Sequence, residues 1–287
     1  MVSHVEQFFD FARERYKIYL LRLARQPAPW TDDPVLREWS FCNIFREDDK
    51  TTRWFRKHVR DPLDRGKGEV FLATVAFRWF NRIETAERIR DLFADWDTNE
   101  VRRRLAFVKP VVTGAYIIKT PNGKNKLEGV LWCIEQVKAA LPKVADDIQV
   151  VETLEEAHKI LCELPYLGNF MAYEIVTDLR HTIYLETAKD IMSWACPGPG
   201  CARGLGWVTD DDPETYRYSS KADEEQMLGL MRELLLCSTF EFNWHPDWPR
   251  WEMREVEHTL CEYDKYKRAQ GGQKLKRRYS RGTGRDD

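Results

Sequence analysis

Along residues 5–24 the large apolar side chains Phe8, Phe9, Phe11, Tyr16, Ile18, Tyr19 and Leu20 recur among charged ones at helical spacing, and the prolines of "QPAPW" forbid continuation. A second helix opens in "TDDPVLREW", with Thr31 or Asp32 as its cap and Pro34 in its first turn. The same period predicts helices over 51–60, 69–82, 84–95, 97–107, 127–142, 152–162, 168–180, 221–237 and 250–270. Strand signals are weak: "VVTGAYIIKT" before "PNGK" reads as a small hairpin or an extended loop. Irregular chain is expected at 109–126, in the Gly-, Pro- and Asp-rich stretch 195–220, and at the end. The pattern predicts an all-α protein, a single two-lobed helical body over residues 1–270 followed by a basic flexible tail over 271–287.

Composition agrees with a folded body, since 43% hydrophobic and 13% aromatic residues are ample for a core in a chain of 287 residues. No apolar run approaches the roughly 18 residues of a membrane span, and the N-terminus mixes acids and arginines where a signal peptide needs a clean apolar segment. A soluble cytoplasmic protein without membrane association is the expectation. The seven cysteines are scattered through predicted helices, which suits reduced thiols better than a disulfide framework. Net charge is −2, but from Lys265 onward nine Lys or Arg stand against two Asp, a local +7 that suits a phosphate-binding arm or a solubilising terminus.

The stretch "LPYLGNFMAYEIV" (164–176) sets Leu-Pro and Leu-Gly just before an apolar run of helical period. A Pro-x-x-Gly turn with Gly168 at positive φ makes a tight connection over 160–182 whose backbone N–H groups at the next helix start point outward, able to hold a phosphate. A generic turn between helices and a DNA-backbone hairpin both satisfy this pattern. It resembles the helix-hairpin-helix of DNA-binding proteins, with Tyr166 where that motif normally has its first Gly. In helix-hairpin-helix DNA glycosylases an aspartate facing the flipped nucleotide follows about two dozen residues after the Pro, close to Asp190 here. Phe170 occupies the position of the nucleophilic Lys of bifunctional members, so lyase chemistry is not expected.

Further segments narrow the resemblance. "RERYKIYLLR", "PWTDDPVL", "FCNIFREDDKTTRW", "FRWFNR", "TGAYII", "LPYLGNFMAYEIVTDLRHT", "DIMSWACPGPGCARGL" and "REVEHTLCEYDKYKR", in this order, resemble the α-glutamyl/putrescinyl thymine pyrophosphorylases of phages, which are amino acid:DNA transferases, and the related helical domain of 5-hydroxymethyluracil DNA kinases. The resemblance implies a helix-hairpin-helix DNA glycosylase-like fold. It also implies a transferase that replaces the pyrophosphate of a pyrophosphorylated 5-hydroxymethyluracil in double-stranded DNA with an amine, from a free amino acid such as glycine or from a polyamine. Functional coupling to a hydroxymethyluracil DNA kinase, and the host bacterial cytoplasm as location for a phage-encoded protein, follow from the same likeness. The chain carries no G-x-x-x-x-G-K-S/T, which favours the transferase over a kinase. A monofunctional glycosylase and a non-catalytic DNA-binding partner of the kinase are the competing readings.

That chemistry needs a flipped base, a neutralised leaving group and a proton acceptor for the amine. Arg15, Arg22, Arg46, Arg53 and Arg82 lie in the family-like segments and suit pyrophosphate oxygens, or else line solvated helix faces. Asn43 and Asn81 sit in apolar runs, to read a base edge or carboxylate or to cap a loop. Asp190 is the expected acid beside the reacting methylene, and Glu257, Glu262 and His258 are candidates for the base. His258, Cys261, Glu262 and Lys265 share one helical face, either as a substrate-binding set or as an ion-pair network. Leu167, Gly168, Asn169, Arg203, Lys274, Lys276, Arg277 and Arg278 are expected DNA contacts, with the glycines of "CPGPGCARG" letting backbone approach the ligand. Cys196, Cys201, Cys237 and Cys261 are too dispersed for a zinc knuckle or an iron-sulfur loop, so neither metal nor cofactor is expected.

Overall fold

A computed structural model describes residues 3–64, 69–240 and 243–278. Among them the protein is all-α, with no strand and a single antiparallel bridge between Trp39 and Arg278. The chain divides into two compact units, one formed by Met1–Lys50 with Ile191–Asp287 and the other by Thr51–Asp190.

The first unit is built on three long helices. His4–Leu23 starts where the Ser3 hydroxyl accepts the Glu6 N–H at 3.1 Å, and it buries Phe8, Phe9 and Phe11. Phe8 meets Trp251 and Tyr263 edge-on, with centroids 6.0 and 5.5 Å away, so large rings from both ends of the chain make this core. Lys221–Cys237 opens on a Ser220 cap, and Met253–Gln270 opens on a capping box between Glu252 and Glu255. Against the last helix lies Pro199–Thr209, in a stretch expected to be irregular. Its glycines lower helix propensity, but a Cβ on Gly204 would stand 2.1 Å from the Leu260 carbonyl oxygen and one on Gly206 2.1 Å from that of Asp212. These two glycines serve close packing within the chain, which overrides propensity; of the glycines in "CPGPGCARG", Gly204 is thus closed off by Leu260, while a Cβ on Gly198 would face open space.

The second unit centres on Glu69–Phe80, which is apolar nearly all round and buries almost every residue. It packs on Lys126–Val150 and on Gly168–Leu179. Lys126–Val150 runs on through Pro142, where the pattern predicted an end; Pro142 is exposed. The region 84–95 is broken into Ile83–Arg88 and a short 3-10 turn, Arg90–Phe93. The segment 109–125 is an extended loop rather than a hairpin of strands. Leu154–Cys162 and Gly168–Leu179 form the tight helical pair read from the Pro-x-x-Gly turn, with Tyr166 at φ 66° and Gly168 at φ 54°. Of the tail, 279–287 lies outside the described residues.

Candidate functional site

The first unit gathers a polar cluster from three parts of its chain. The N-terminal helix contributes Arg15, only 2% exposed, whose Nε and Nη2 donate to the Phe41 carbonyl at 3.3 and 3.0 Å. Its Nη2 also donates to Asn43 Oδ1 at 2.6 Å. The segment after Trp39 is not helical, which frees its backbone to bind side chains. There the Asn43 N–H donates to Asp49 Oδ1 at 2.9 Å, its Nδ2 to the Asp48 carbonyl at 2.9 Å, and the Cys42 N–H to Glu262 Oε2 at 2.8 Å. From Met253–Gln270 come His258, Glu262 and Lys265, whose Nζ donates to the Ser40 carbonyl at 2.9 Å and to Glu262 at 3.1 Å. Lys265 also lies over the Phe41 ring, 4.7 Å from its centroid.

Electrostatics separates the acids of this cluster. Burial pushes Asp49 up to about 6, against the Asn43 N–H and the charges of Arg15 and Arg46. Burial also disfavours charge on Glu262, yet Lys265, His258 and the Cys42 N–H together hold it below its usual range. Cys42 reaches solvent as a residue, while desolvation of its thiol, then Glu262 and Asp49, push it well above the ordinary thiol value. The cluster therefore places an ionised carboxylate, a buried neutralisable one and several cations in one volume, the mixture that proton transfer or anion binding requires. Among the described residues one group has metal-binding make-up: ligand atoms of Cys42, Asp49 and His258 lie within 4.8 Å of one another.

The second unit contains two features. The first is a buried ion pair that sequence reading missed, in which Arg78 Nε and Nη2 both donate to the Asp178 carboxylate. Nη1 donates to Asn81 Oδ1 at 3.0 Å and Nη2 to Thr52 Oγ1 at 3.2 Å. A charge set inside each of two apolar runs, "VAFRWF" and "EIVTDL", was the available signal. The second feature is the surface around the hairpin turn. Tyr166 and Phe170 are exposed there, edge-on to Trp132 and Tyr116. A concavity of about 550 Å³ beside them is lined by Lys119, Asn122, Gly123, Lys124, Lys126 and Tyr166, a basic rim next to outward-facing rings.

Other expected site residues are engaged locally. Asp190 accepts from the Leu154 and Glu155 N–H groups at 2.7 and 3.0 Å, closing the start of Leu154–Cys162, and it belongs to the second unit while Glu257, His258 and Glu262 belong to the first. Glu257 accepts from Arg254 at 2.5 Å and from the Cys261 thiol at 3.3 Å. Arg203 donates to the buried Asp264 at 3.1 Å, and Arg22 lies over Trp30 at 5.0 Å. Arg82 donates to the Pro110 carbonyl and pairs with Glu84 at 3.2 Å. Asn81 has φ 42° and serves Arg78, Arg46 is buried at the 3-10 turn Arg46–Asp48, and Arg53 is half-buried on Lys50–Phe55. In the turn, Leu167 is buried, the Asn169 carbonyl meets His158 Nε2 at 3.0 Å, and a Cβ on Gly168 would face open space. Lys274 and Lys276 are exposed; the Arg277 carbonyl accepts from Ser40 at 3.1 Å, and Arg278 pairs with Glu38 at 2.9 Å over the Trp39 ring.

Residues 2–275 match the family model described as the helical domain of 5-hmdU DNA kinase. A curated relative, the 5-hmdU DNA kinase of Bacillus phage SP10, is 27% identical over 293 positions, covering 91% of this chain and 44% of the relative. The chain thus spans less than half the length of that relative. No solved structure matches it. No helix among the described residues is long and apolar enough to cross a membrane. These matches overturn the pyrophosphorylase assignment, and with it the amine donor, the pyrophosphate leaving group and the transferase reaction. The segments that carried it lie within residues 2–275, the range that matches the kinase helical domain, and the missing G-x-x-x-x-G-K-S/T was no argument against that family, because a helical domain need not carry the phosphate-binding loop.

Proposed function

Because the chain belongs to the 5-hmdU DNA kinase helical domain family, we propose that it grips DNA containing 5-hydroxymethyluracil and presents the hydroxymethyl oxygen of that base for phosphorylation. The observation that carries the reading is the match over residues 2–275, nearly the whole chain. Phosphorylation makes a bond from the hydroxymethyl oxygen to the γ-phosphorus of a nucleoside triphosphate, breaks that phosphorus's bond to the β,γ-bridging oxygen so that the nucleoside diphosphate leaves, and passes the hydroxyl proton to a base; it requires the nucleobase outside the duplex stack. The sequence shows no Walker-type loop, so the role assigned to these residues is recognition of DNA and base.

Two features support that role. The turn at Tyr166 and Gly168 exposes the start of Gly168–Leu179, where unpaired N–H groups and the helix dipole favour a phosphate, and Lys119 and Lys124 extend the same basic rim. This is the helix-hairpin-helix element of a DNA glycosylase-like body over residues 1–270, with the basic stretch 271–287 adding phosphate attraction. In the first unit, Asn43, Arg15 and Lys265 offer hydrogen-bond groups for a flipped pyrimidine, and Glu262, held ionised, is the carboxylate fit to accept the hydroxyl proton.

The test is fluorescence anisotropy with duplexes that differ only in carrying hydroxymethyluracil or thymine, at fixed salt. A site that hydrogen-bonds the extra hydroxyl gives a preference of about tenfold or more. Gly168→Val, strained at positive φ, weakens both duplexes alike. Equal, weak affinity for both in the unaltered protein overturns the reading. Mass spectrometry of nucleosides after incubation with Mg-ATP then reports whether this chain alone transfers phosphate.

A further inference from the structure

We propose that Cys42, Asp49 and His258 form a binding site for one divalent transition metal of the zinc type, with a coordination position left for an oxygen ligand. The three donors come from separate places in the first unit: Cys42 from the non-helical segment after Trp39, Asp49 from the end of the 3-10 turn Arg46–Asp48, and His258 from the helix Met253–Gln270. Their ligand atoms nevertheless lie within 4.8 Å of one another. Zinc bonds of about 2.0–2.3 Å put tetrahedral ligand atoms roughly 3.3–3.8 Å apart, so side-chain rotations that shorten the separations by about 1 Å complete the geometry. One sulfur, one imidazole nitrogen and one carboxylate oxygen make three protein ligands, the number found at catalytic zinc centres, which keep the fourth position for water or substrate.

The surroundings hold these donors in place. The Asn43 N–H donates to the Asp49 carboxylate at 2.9 Å and Glu262 fixes the Cys42 backbone N–H at 2.8 Å, the outer contacts that orient metal ligands. A second feature of the same cluster calls for an oxygen acceptor. Arg15 is 2% exposed, its charge bears on both Cys42 and Asp49, and its Nη1 has no hydrogen-bond partner among the described residues. A buried N–H of this kind costs free energy until an acceptor arrives. A phosphate oxygen or hydroxide on the open position of the metal supplies one. The sulfur ligand selects zinc or cobalt over magnesium, and Arg15 and Lys265 nearby oppose a hard ion that only charge would hold. Cys42 binds as thiolate, its proton passing to solvent.

The site is read without DNA or nucleotide, so its failure and that of the kinase-domain reading are separable. Chelator-treated protein is titrated with cobalt(II) chloride and followed by absorption. The expected result is saturation at one equivalent per chain with a near-ultraviolet thiolate-to-cobalt band and the visible bands of a four-coordinate ion. Cys42→Ser abolishes the ultraviolet band and His258→Gln weakens binding at least about 100-fold, while both keep the helical circular dichroism of the unaltered protein. Cys196→Ser and Cys201→Ser leave the titration unchanged. Inorganic phosphate shifts the visible bands of the cobalt protein, and the shift is lost in Arg15→Lys. No thiolate band, or a band that survives Cys42→Ser, or one that disappears with Cys196→Ser or Cys201→Ser, overturns the proposal.

Discussion

Arg78 in the second unit and Arg15 in the first are hidden from solvent almost equally, at 1% and 2% exposure, yet their nitrogens are used in opposite ways. Each nitrogen of Arg78 has an acceptor, and its charge is met face to face by Asp178. Arg15 hydrogen-bonds only to neutral groups, the Phe41 carbonyl and the Asn43 amide, feels the Asp49 carboxylate through space without an ion-pair contact, and its Nη1 has no hydrogen-bond partner among the described residues. Burying a cation costs several kcal/mol, and the Arg78 pair returns that cost within the fold. Arg15 leaves part of it outstanding. The difference separates a buried charge that acts as a clamp, joining Glu69–Phe80 to Gly168–Leu179, from one that keeps a nitrogen without a hydrogen-bond partner among the described residues, the feature on which its proposed role as a receptor rests.

The comparison breaks most sharply at Asp178. Asp178→Ala leaves Arg78 charged, buried and unpaired, and is expected to cost about 3–5 kcal/mol, read from the midpoint of urea unfolding. A loss under about 1 kcal/mol would mean that Arg78 is no clamp. Next is Gly204→Ala, whose Cβ would lie 2.1 Å from the Leu260 oxygen. It is expected to destabilise by about 3 kcal/mol and to displace the helix that carries His258, Glu262 and Lys265, so hydroxymethyluracil preference falls with stability. Amide exchange should show the loosening in residues of the first unit and leave Glu69–Phe80 protected.

A smaller effect separates the units by pH. Burial raises Glu255, at the start of Met253–Gln270, to about 7 despite the Glu252 N–H it accepts. A folded-state value above the unfolded one means that the native protein binds this proton more tightly. The stabilisation is therefore complete below about 4.5 and is lost as pH rises through about 7. Glu255→Gln should remove roughly 2 kcal/mol of that decline between pH 5 and 8, checked by denaturation at each pH. Smallest in stability is Arg15→Lys, which keeps the charge and loses the fork. About 1 kcal/mol of folding free energy should go, while the preference for hydroxymethyluracil duplex over thymine duplex drops to near unity. Stability and preference falling in proportion would make Arg15 a second clamp.

Much of the candidate site was legible in the chain. Arg15, Asn43, Glu262, His258 and Lys265 were all singled out: Arg15 for its place in a family-like segment, Asn43 because a polar residue inside an apolar run must find a partner, and the last three because the helical period put them on one face. Cys42 and Asp49 were passed over, since nothing in a linear pattern announces that a non-helical segment will lie against a helix some two hundred residues later. The contacts of Asp190 and Arg203, at the start of Leu154–Cys162 and with Asp264, became visible only in the fold. The choice between pyrophosphorylase and kinase helical domain was decided by the match of residues 2–275 to the kinase helical domain, not by the chemistry of individual residues.

The amino-acid sequence by itself determined the all-α class, most helix positions, the tight turn at 164–168 and the charge asymmetry toward the end of the chain. Each follows from local rules: period, capping, proline geometry and composition. Tertiary structure decided the rest. It made a helix of Pro199–Thr209 because glycines permit contact with Leu260, closed Arg78 on Asp178 and left Arg15 open. The physical reason is range: helix propensity is summed over neighbours, whereas desolvation, pairing and close packing depend on which distant residues arrive in the same volume.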